Sequence, residues 1–172
     1  EIASRFFDEP SAAMTMIGVT GTNGKTSCTQ FIAQALNSMN RCCGVIGTLG
    51  IGIPPDLQDS SFTTPGPVQV QAALAELRLN GADTVAMEVS SQGLHQHRVN
   101  GVRFDVAVFT NLTRDHLDYH GSMEEYAETK RKLFMFPGLN CAVVNMDDPF
   151  AIRILDTLAP SVRSYTYSVA NS

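Results

Sequence analysis

Six short runs rich in β-branched residues alternate with stretches of helical spacing, and this alternation leaves few architectures open to the chain. Strands are expected near residues 14–19, 43–48, 84–89, 105–110, 141–145 and 162–167. Such an order reads as successive βαβ units, hence an α/β fold with a mostly parallel sheet flanked by helices. Cys28, Phe31, Ile32, Ala35, Leu36 and Met39 recur at helical spacing after Lys25 and predict a helix with that stripe on the sheet. A second helix should follow Pro67, turning Val70, Ala73, Leu74 and Leu77 inward and stopping at Gly81. A third opens at Ser122, which has capping-box spacing to Glu125, and a fourth near Asp148 and Pro149, with Ala151, Ile154 and Leu155 inward. Two long connections, residues 50–67 and 90–104, have a length more often functional than idle.

With 172 residues there is room for one domain. Twelve Lys and Arg against seventeen Asp and Glu give a net charge of -5, which argues against sequence-independent nucleic-acid binding. The four cysteines form no CxxC pair, and the adjacent Cys42 and Cys43 are poorly placed to bond each other, so reduced thiols in a cytoplasmic protein are expected. No apolar run approaches the roughly 18 residues of a membrane span, and "EIASRFFDEP" lacks the parts of a signal peptide. The start without Met reads as a piece of a longer chain. Residues 1–13 are then expected to be a linker from a preceding domain, and residues 14–172 a domain that is incomplete at its C-terminal end.

The sharpest chemistry lies in "IGVTGTNGKTSCTQFIAQAL", residues 17–36. A strand, a glycine turn and a helix opening at Lys25-Thr26 aim backbone N–H groups and the positive helix end at phosphate oxygens. Lys25 adds charge, and Thr26 offers a hydroxyl to Mg²⁺. The usual P-loop pattern wants glycine at the place of Val19, so the general motif is not met. A hairpin turn beside a solvated lysine is the plain alternative.

"GTNGKT" resembles the nucleotide loop of the Mur ligases and of the related folylpolyglutamate synthetases. "FTTPGP", "AMEVSSQGLHQHRV", "VFTNLTRDHLDYHGSMEEYAETKRKLF" and "VVNMDD" are together similar to the central domain of Mur ligases of the tripeptide-synthetase (MurE) type, across nearly the whole chain. The resemblance implies a P-loop NTPase-like domain of a three-domain enzyme. It also implies an ATP-driven ligation that adds meso-diaminopimelate or L-lysine to UDP-N-acetylmuramoyl-L-alanyl-D-glutamate through an acyl phosphate. Positioning and charge neutralisation carry such a reaction, and no nucleophilic side chain is needed. The competing readings are a folylpolyglutamate synthetase-like ligase and a nucleotide-binding module without turnover. No kinase catalytic loop is visible. A monomer with neither nucleic-acid nor membrane partners is expected.

By the same resemblance Gly21, Thr22, Asn23, Gly24, Lys25 and Thr26 bind ATP, with Asn111 and Asn145 beside it and Asp147 near the base or ribose. Glu88 joins Thr26 on Mg²⁺. His116 is a ligand of a second Mg²⁺ that Asp115 helps to shape, and Lys130 carries a CO₂-derived carbamate that completes that site. Spacing alone puts Lys130 on the apolar face of its helix with Met123, Tyr126 and Ala127, where desolvation lowers its pKa; a snorkelling lysine is the alternative. Thr63, Thr64, Ser91 and Arg98, in the two long loops, are implied contacts of the muramoyl peptide. The Asp and His residues of "RDHLDYH" lack further partners at zinc spacing, and His120 reads as an ordinary loop histidine.

Overall fold

A computed structural model describes residues 1–170. Its strands are β1 (Thr15–Thr20), β2 (Cys43–Gly47), β3 (Gly50–Ile53), β4 (Asp56–Gln58), β5 (Thr84–Glu88), β6 (Val106–Phe109), β7 (Cys141–Asn145) and β8 (Arg163–Tyr167). The helices are α1 (Ile2–Phe6), α2 (Lys25–Ser38), α3 (Pro67–Leu79), α4 (Ser91–His95), α5 (Leu117–His120), α6 (Met123–Arg131) and α7 (Ala151–Leu155). One sheet runs in the order β4-β3-β2-β5-β1-β6-β7-β8, with β2 through β8 of that order mutually parallel and β3 antiparallel to both its neighbours, β2 and β4.

Every residue of β2 and β5 is buried, the mark of strands covered on both faces, whereas β8 is exposed throughout as an edge strand. Met16, Ile46, Leu74, Val85, Met87, Phe104 and Phe109 fill the core between sheet and helices. The inward face of α3 is the expected one, with Val70, Ala73, Leu74 and Leu77 buried, and Gly81 beyond its end takes φ 88°.

Two expectations need correction. Phe31 of α2 and Met39 just past its end are 67% and 69% exposed, and the residues of α2 buried against the sheet are Thr29 and Ala33. Ala33 meets Cys43, Val45 and Ala86, with Ile32 and Leu36 at the margin. Thr29 counts as polar in a periodicity reading, yet its hydroxyl is satisfied locally by the Thr26 carbonyl, so it can face inward without cost. The connection 50–67 is also not all loop. It begins with the β3–β4 hairpin, whose glycines at 50 and 52 give no strand signal because the pairing is made by backbone alone.

Residues 2–13 form α1 and a 3-10 turn (Pro10–Ala13), in which Ser4, Pro10 and Ser11 are buried. All four cysteines are free thiols. Among the described residues no helix is long and apolar enough to cross a membrane. The topology brings the ends of β1, β2, β5 and β6 together along one sheet edge, where ligands of open α/β sheets bind.

Candidate active site

The chain leaves β1 at Thr20 and turns through Gly21–Gly24 into α2. Gly21 lies so close to Thr110 that a Cβ there would overlap the threonine hydroxyl. Thr110 Oγ1 and Asn111 Nδ2 both donate to the Asn23 carbonyl, at 2.6 and 3.1 Å. Asn111 Oδ1 accepts from the Asn23 amide at 3.0 Å, and the Asn111 carbonyl from the Thr22 amide at 2.8 Å. Asn111 therefore clamps the loop from the end of β6. Lys25 Nζ is folded back onto the Gly21 and Thr22 carbonyls, at 2.9 Å from each. Burial lowers its pKa, opposed by Glu88 and Asp115.

Glu88, 1% exposed at the end of β5, gathers three donor groups. Thr26 Oγ1 donates to Oε2 at 2.9 Å, the Thr48 amide to Oε1 at 2.7 Å, and Thr48 Oγ1 to Oε2 at 3.2 Å. Gly47 makes this approach possible, because a Cβ there would overlap the carboxylate.

Lys130 is 1% exposed, and its Nζ donates to the Gly21 carbonyl at 2.8 Å while lying 4.4 Å from the centre of the Tyr126 ring. Burial first, then the Lys25 charge, pushes its pKa down to about 7, with Asp115 acting the other way. Tyr126 is itself buried, with its hydroxyl 3.1 Å from Thr22 Oγ1, so one ring braces both the loop and the lysine. His116 is exposed, edge-on to Tyr126 and 3.4 Å from Asp115. It adopts φ 52°, a left-handed conformation uncommon outside glycine and often found at functional sites.

On the other side, Thr64 is buried. Its hydroxyl donates to the Glu88 carbonyl and accepts from the Ser90 amide, both at 2.9 Å. Thr63 Oγ1 sits 3.0 Å from Thr48 Oγ1. Arg98 donates through Nη1 to the Thr64 carbonyl at 2.7 Å and through Nε and Nη2 to Gln96 Oε1, with Phe62 beneath its guanidinium. Among the described residues the acceptors of that cation are neutral. Ser91, by contrast, is 1% exposed with its Oγ 2.9 Å from His120 Nε2.

The profile of the Mur ligase middle domain matches residues 19–172. This chain belongs to the Mur ligase family. It is 62% identical over 155 residues to the UDP-N-acetylmuramoyl-L-alanyl-D-glutamate--2,6-diaminopimelate ligase of Coxiella burnetii, covering 90% of this chain and 32% of that protein. With the Pseudomonas aeruginosa protein of the same name it shares 55% over 171 residues, 99% of this chain and 35% of the relative. It thus spans about a third of the length of these curated relatives. A solved ligase structure of that name superimposes with TM-score 0.89 at 39% identity, over 98% of this chain and 35% of the other. A Mycobacterium tuberculosis folylpolyglutamate synthase complexed with ADP and AMPPCP shares the fold, with TM-score 0.73 at 18% identity over 96% of this chain and 45% of that one.

In this Mur ligase domain the loop residues, Glu88, Lys130, Asn111 and, across β2, Thr63 lie around one sheet edge. Asn145 reaches the same edge, its Nδ2 donating to the Thr110 carbonyl at 2.8 Å. Asp147 turns to the chain's last described residues, accepting from Ser168 Oγ and the Val169 and Ala170 amides. His120 is not an ordinary loop histidine: it is 5% exposed, packed on Tyr119 and Tyr126 and bonded to Ser91. Thr48, Tyr126, Ser90 and Gln96 were missed as members of the cluster. Position −4 from Lys130 on α6 was a signal for Tyr126; Thr48 gave none. A cavity of about 710 Å³ lies elsewhere, lined by Arg5, Glu9, Ser11, Arg103, Lys132 and Phe136 ahead of β1 and β6.

Proposed function

We propose that this chain is the ATP-binding middle domain of a ligase that adds a diamino acid, meso-diaminopimelate or L-lysine, to UDP-N-acetylmuramoyl-L-alanyl-D-glutamate in peptidoglycan precursor synthesis. One observation carries the reading. The phosphate loop, the Thr26–Glu88 pair and the buried Lys130 converge on the sheet edge that Thr63 and Arg98 also reach, in a chain 62% identical to a ligase of that name.

The residues fit the groups the reaction requires. A hydroxyl and a carboxylate in contact, Thr26 and Glu88, are hard oxygen donors suited to Mg²⁺. Lys130, with a pKa near 7, presents a substantial share of neutral amine able to add CO₂, and with His116 its carbamate would hold a second Mg²⁺. Magnesium supplies neutralisation of phosphate charge.

The chain's own residues do the rest. The N–H groups at the start of α2 would hold the ATP phosphates, and Lys25, now on the Gly21 and Thr22 carbonyls, would supply positive charge beside them. Arg98 and Thr63 hold the muramoyl peptide, whose carboxylate takes the γ-phosphoryl group to give an acyl phosphate and ADP. The diamino acid's amine then displaces phosphate. Ser91 is buried against His120, so Ser90, half-buried at the start of α4, is the better placed of the two serines for a substrate contact.

The test is ADP release by the full-length ligase carrying this domain, with the muramoyl dipeptide, Mg²⁺, bicarbonate and either diamino acid, beside a folate-plus-glutamate control. Release that needs the muramoyl compound and one diamino acid is expected. Release with the folate pair alone overturns the substrate assignment.

A further inference from the structure

Thr48 follows directly on β2 and belongs to none of the motifs, yet it touches both halves of the site. Its amide and hydroxyl hold the two oxygens of Glu88, at 2.7 and 3.2 Å, and its hydroxyl oxygen lies 3.0 Å from that of Thr63. A hydroxyl has one proton to give. Because that of Thr48 goes to the carboxylate, Thr63 must be the donor between the two threonines. The chain of bonds is therefore directed, from Thr63 through Thr48 to Glu88 Oε2, where the Thr26 hydroxyl arrives from the nucleotide loop.

We propose that Thr48 is a positioning residue: it fixes the orientation of the Glu88 carboxylate and couples docking at the Thr63 loop to magnesium-nucleotide binding at Thr26 and Glu88. The inference rests on the reading of those residues given above. Two features support it. Glu88 is almost wholly buried, so its orientation is set by its donors rather than by water, and Thr48 supplies two of the three. The absent Cβ at Gly47 leaves the room that this approach needs. When substrate displaces Thr63, the Thr48 hydroxyl loses its donor, and the carboxylate feels the change. By reciprocity nucleotide and magnesium must alter substrate affinity by the same factor.

The experiment compares Thr48→Val, Thr48→Ser and Thr63→Val in the full-length ligase. Binding of a non-hydrolysable ATP analogue is measured by calorimetry across a magnesium series, with and without the muramoyl dipeptide. Thr48→Val keeps the amide bond but loses the hydroxyl, and should raise the magnesium needed for half-maximal analogue binding about tenfold, the loss of one bond to a charged group. It should also abolish the effect of the muramoyl compound on analogue affinity. Thr48→Ser should stay within about twofold of wild type, since its hydroxyl keeps the bond. Thr63→Val removes the donor for good, so without substrate its magnesium dependence should already lie where the wild type's lies with substrate, and the substrate effect should be lost; the double variant should be no worse in coupling than Thr48→Val.

An unchanged magnesium dependence in Thr48→Val overturns the proposal, as does a Thr48→Ser variant as impaired as Thr48→Val. Should Thr48→Val fail to fold, Thr63→Val decides: an intact substrate effect there overturns the coupling. A wild-type ligase that binds the analogue but never responds to the muramoyl compound overturns the substrate reading, while the magnesium shift in Thr48→Val still decides the positioning role.

Discussion

The ammonium groups of Lys25 and Lys130 donate to the same carbonyl oxygen, that of Gly21, at 2.9 and 2.8 Å. One oxygen cannot fully compensate two cations, and the more buried one yields: Lys130 is pushed to about 7, by burial first and Lys25 second. Its folded pKa lies below the ordinary lysine value of 10.5. Between about pH 7 and 10.5 the unfolded chain therefore binds more protons than the folded one, and stability rises with pH through that window. The contribution is at most about 1.4 kcal/mol per pH unit. Lys130→Met removes this slope. Urea midpoints at pH 7, 8 and 9 should climb for the wild type relative to the variant; parallel curves would show that Lys130 titrates as an exposed lysine does.

Gly47 and Gly44 offer a paired test of the site's geometry. A Cβ at Gly47 overlaps the Glu88 carboxylate, whereas one at Gly44 meets the methyl ends of Leu77. Both alanine variants should lose about 1–3 kcal/mol by overpacking. Only Gly47→Ala should also weaken magnesium-dependent nucleotide binding, because the group it displaces is the carboxylate. Thermal melts and calorimetry on the two proteins separate the effects, and equal loss of nucleotide binding in both would remove Gly47 from the site's design.

What could be read in the sequence was what is local in the chain. The buried strands β2 and β5 announce themselves by short apolar runs, Val45-Ile46 and residues 85–87, and the glycine-rich loop with its Lys-Thr is six contiguous residues. The face of α2 was misread because Thr29 hides its hydroxyl one turn back, and the β3–β4 hairpin because its glycines pair by backbone. Thr48, His120 and Tyr126 gain their roles from partners 40, 29 and 104 residues away, at Glu88, Ser91 and Thr22. Spacing rules see one helix turn or one strand pair; they do not reach across a sheet.

Tyr126 joins the loop to the Lys130 helix by two different forces, which two substitutions can divide. Tyr126→Phe keeps the ring 4.4 Å from Lys130 Nζ and loses only the Thr22 contact. It should cost about 1 kcal/mol, the usual worth of one hydrogen bond. Tyr126→Leu also removes the ring face, adding about 0.5–2 kcal/mol of cation–π attraction together with a packing defect. Chemical denaturation of the three proteins measures the ladder. A Phe variant as unstable as the Leu variant would mean that the hydroxyl, not the ring, holds this corner together.

His120 is buried between Tyr119 and Tyr126 with Nε2 on Ser91 Oγ, and its pKa is lowered by burial first and then by the charges of His95, Lys130 and His116. Glu125 opposes them. Because the folded value lies below the ordinary 6.5, the unfolded chain takes up the proton first as the medium is acidified. The stability this neutral histidine contributes is therefore present above about pH 6.5 and is lost as pH falls below it. His120→Phe keeps a ring in the pocket but cannot be protonated, so its stability should fall less than that of the wild type between pH 6.5 and 5. Ser91→Ala measures the hydrogen bond separately, and the double variant should show a coupling of about 1 kcal/mol with His120→Phe. Fully additive losses would mean that the two side chains are neighbours without a bond worth keeping, and that α4 is held to α5 by packing and by the His95–Tyr119 hydrogen bond.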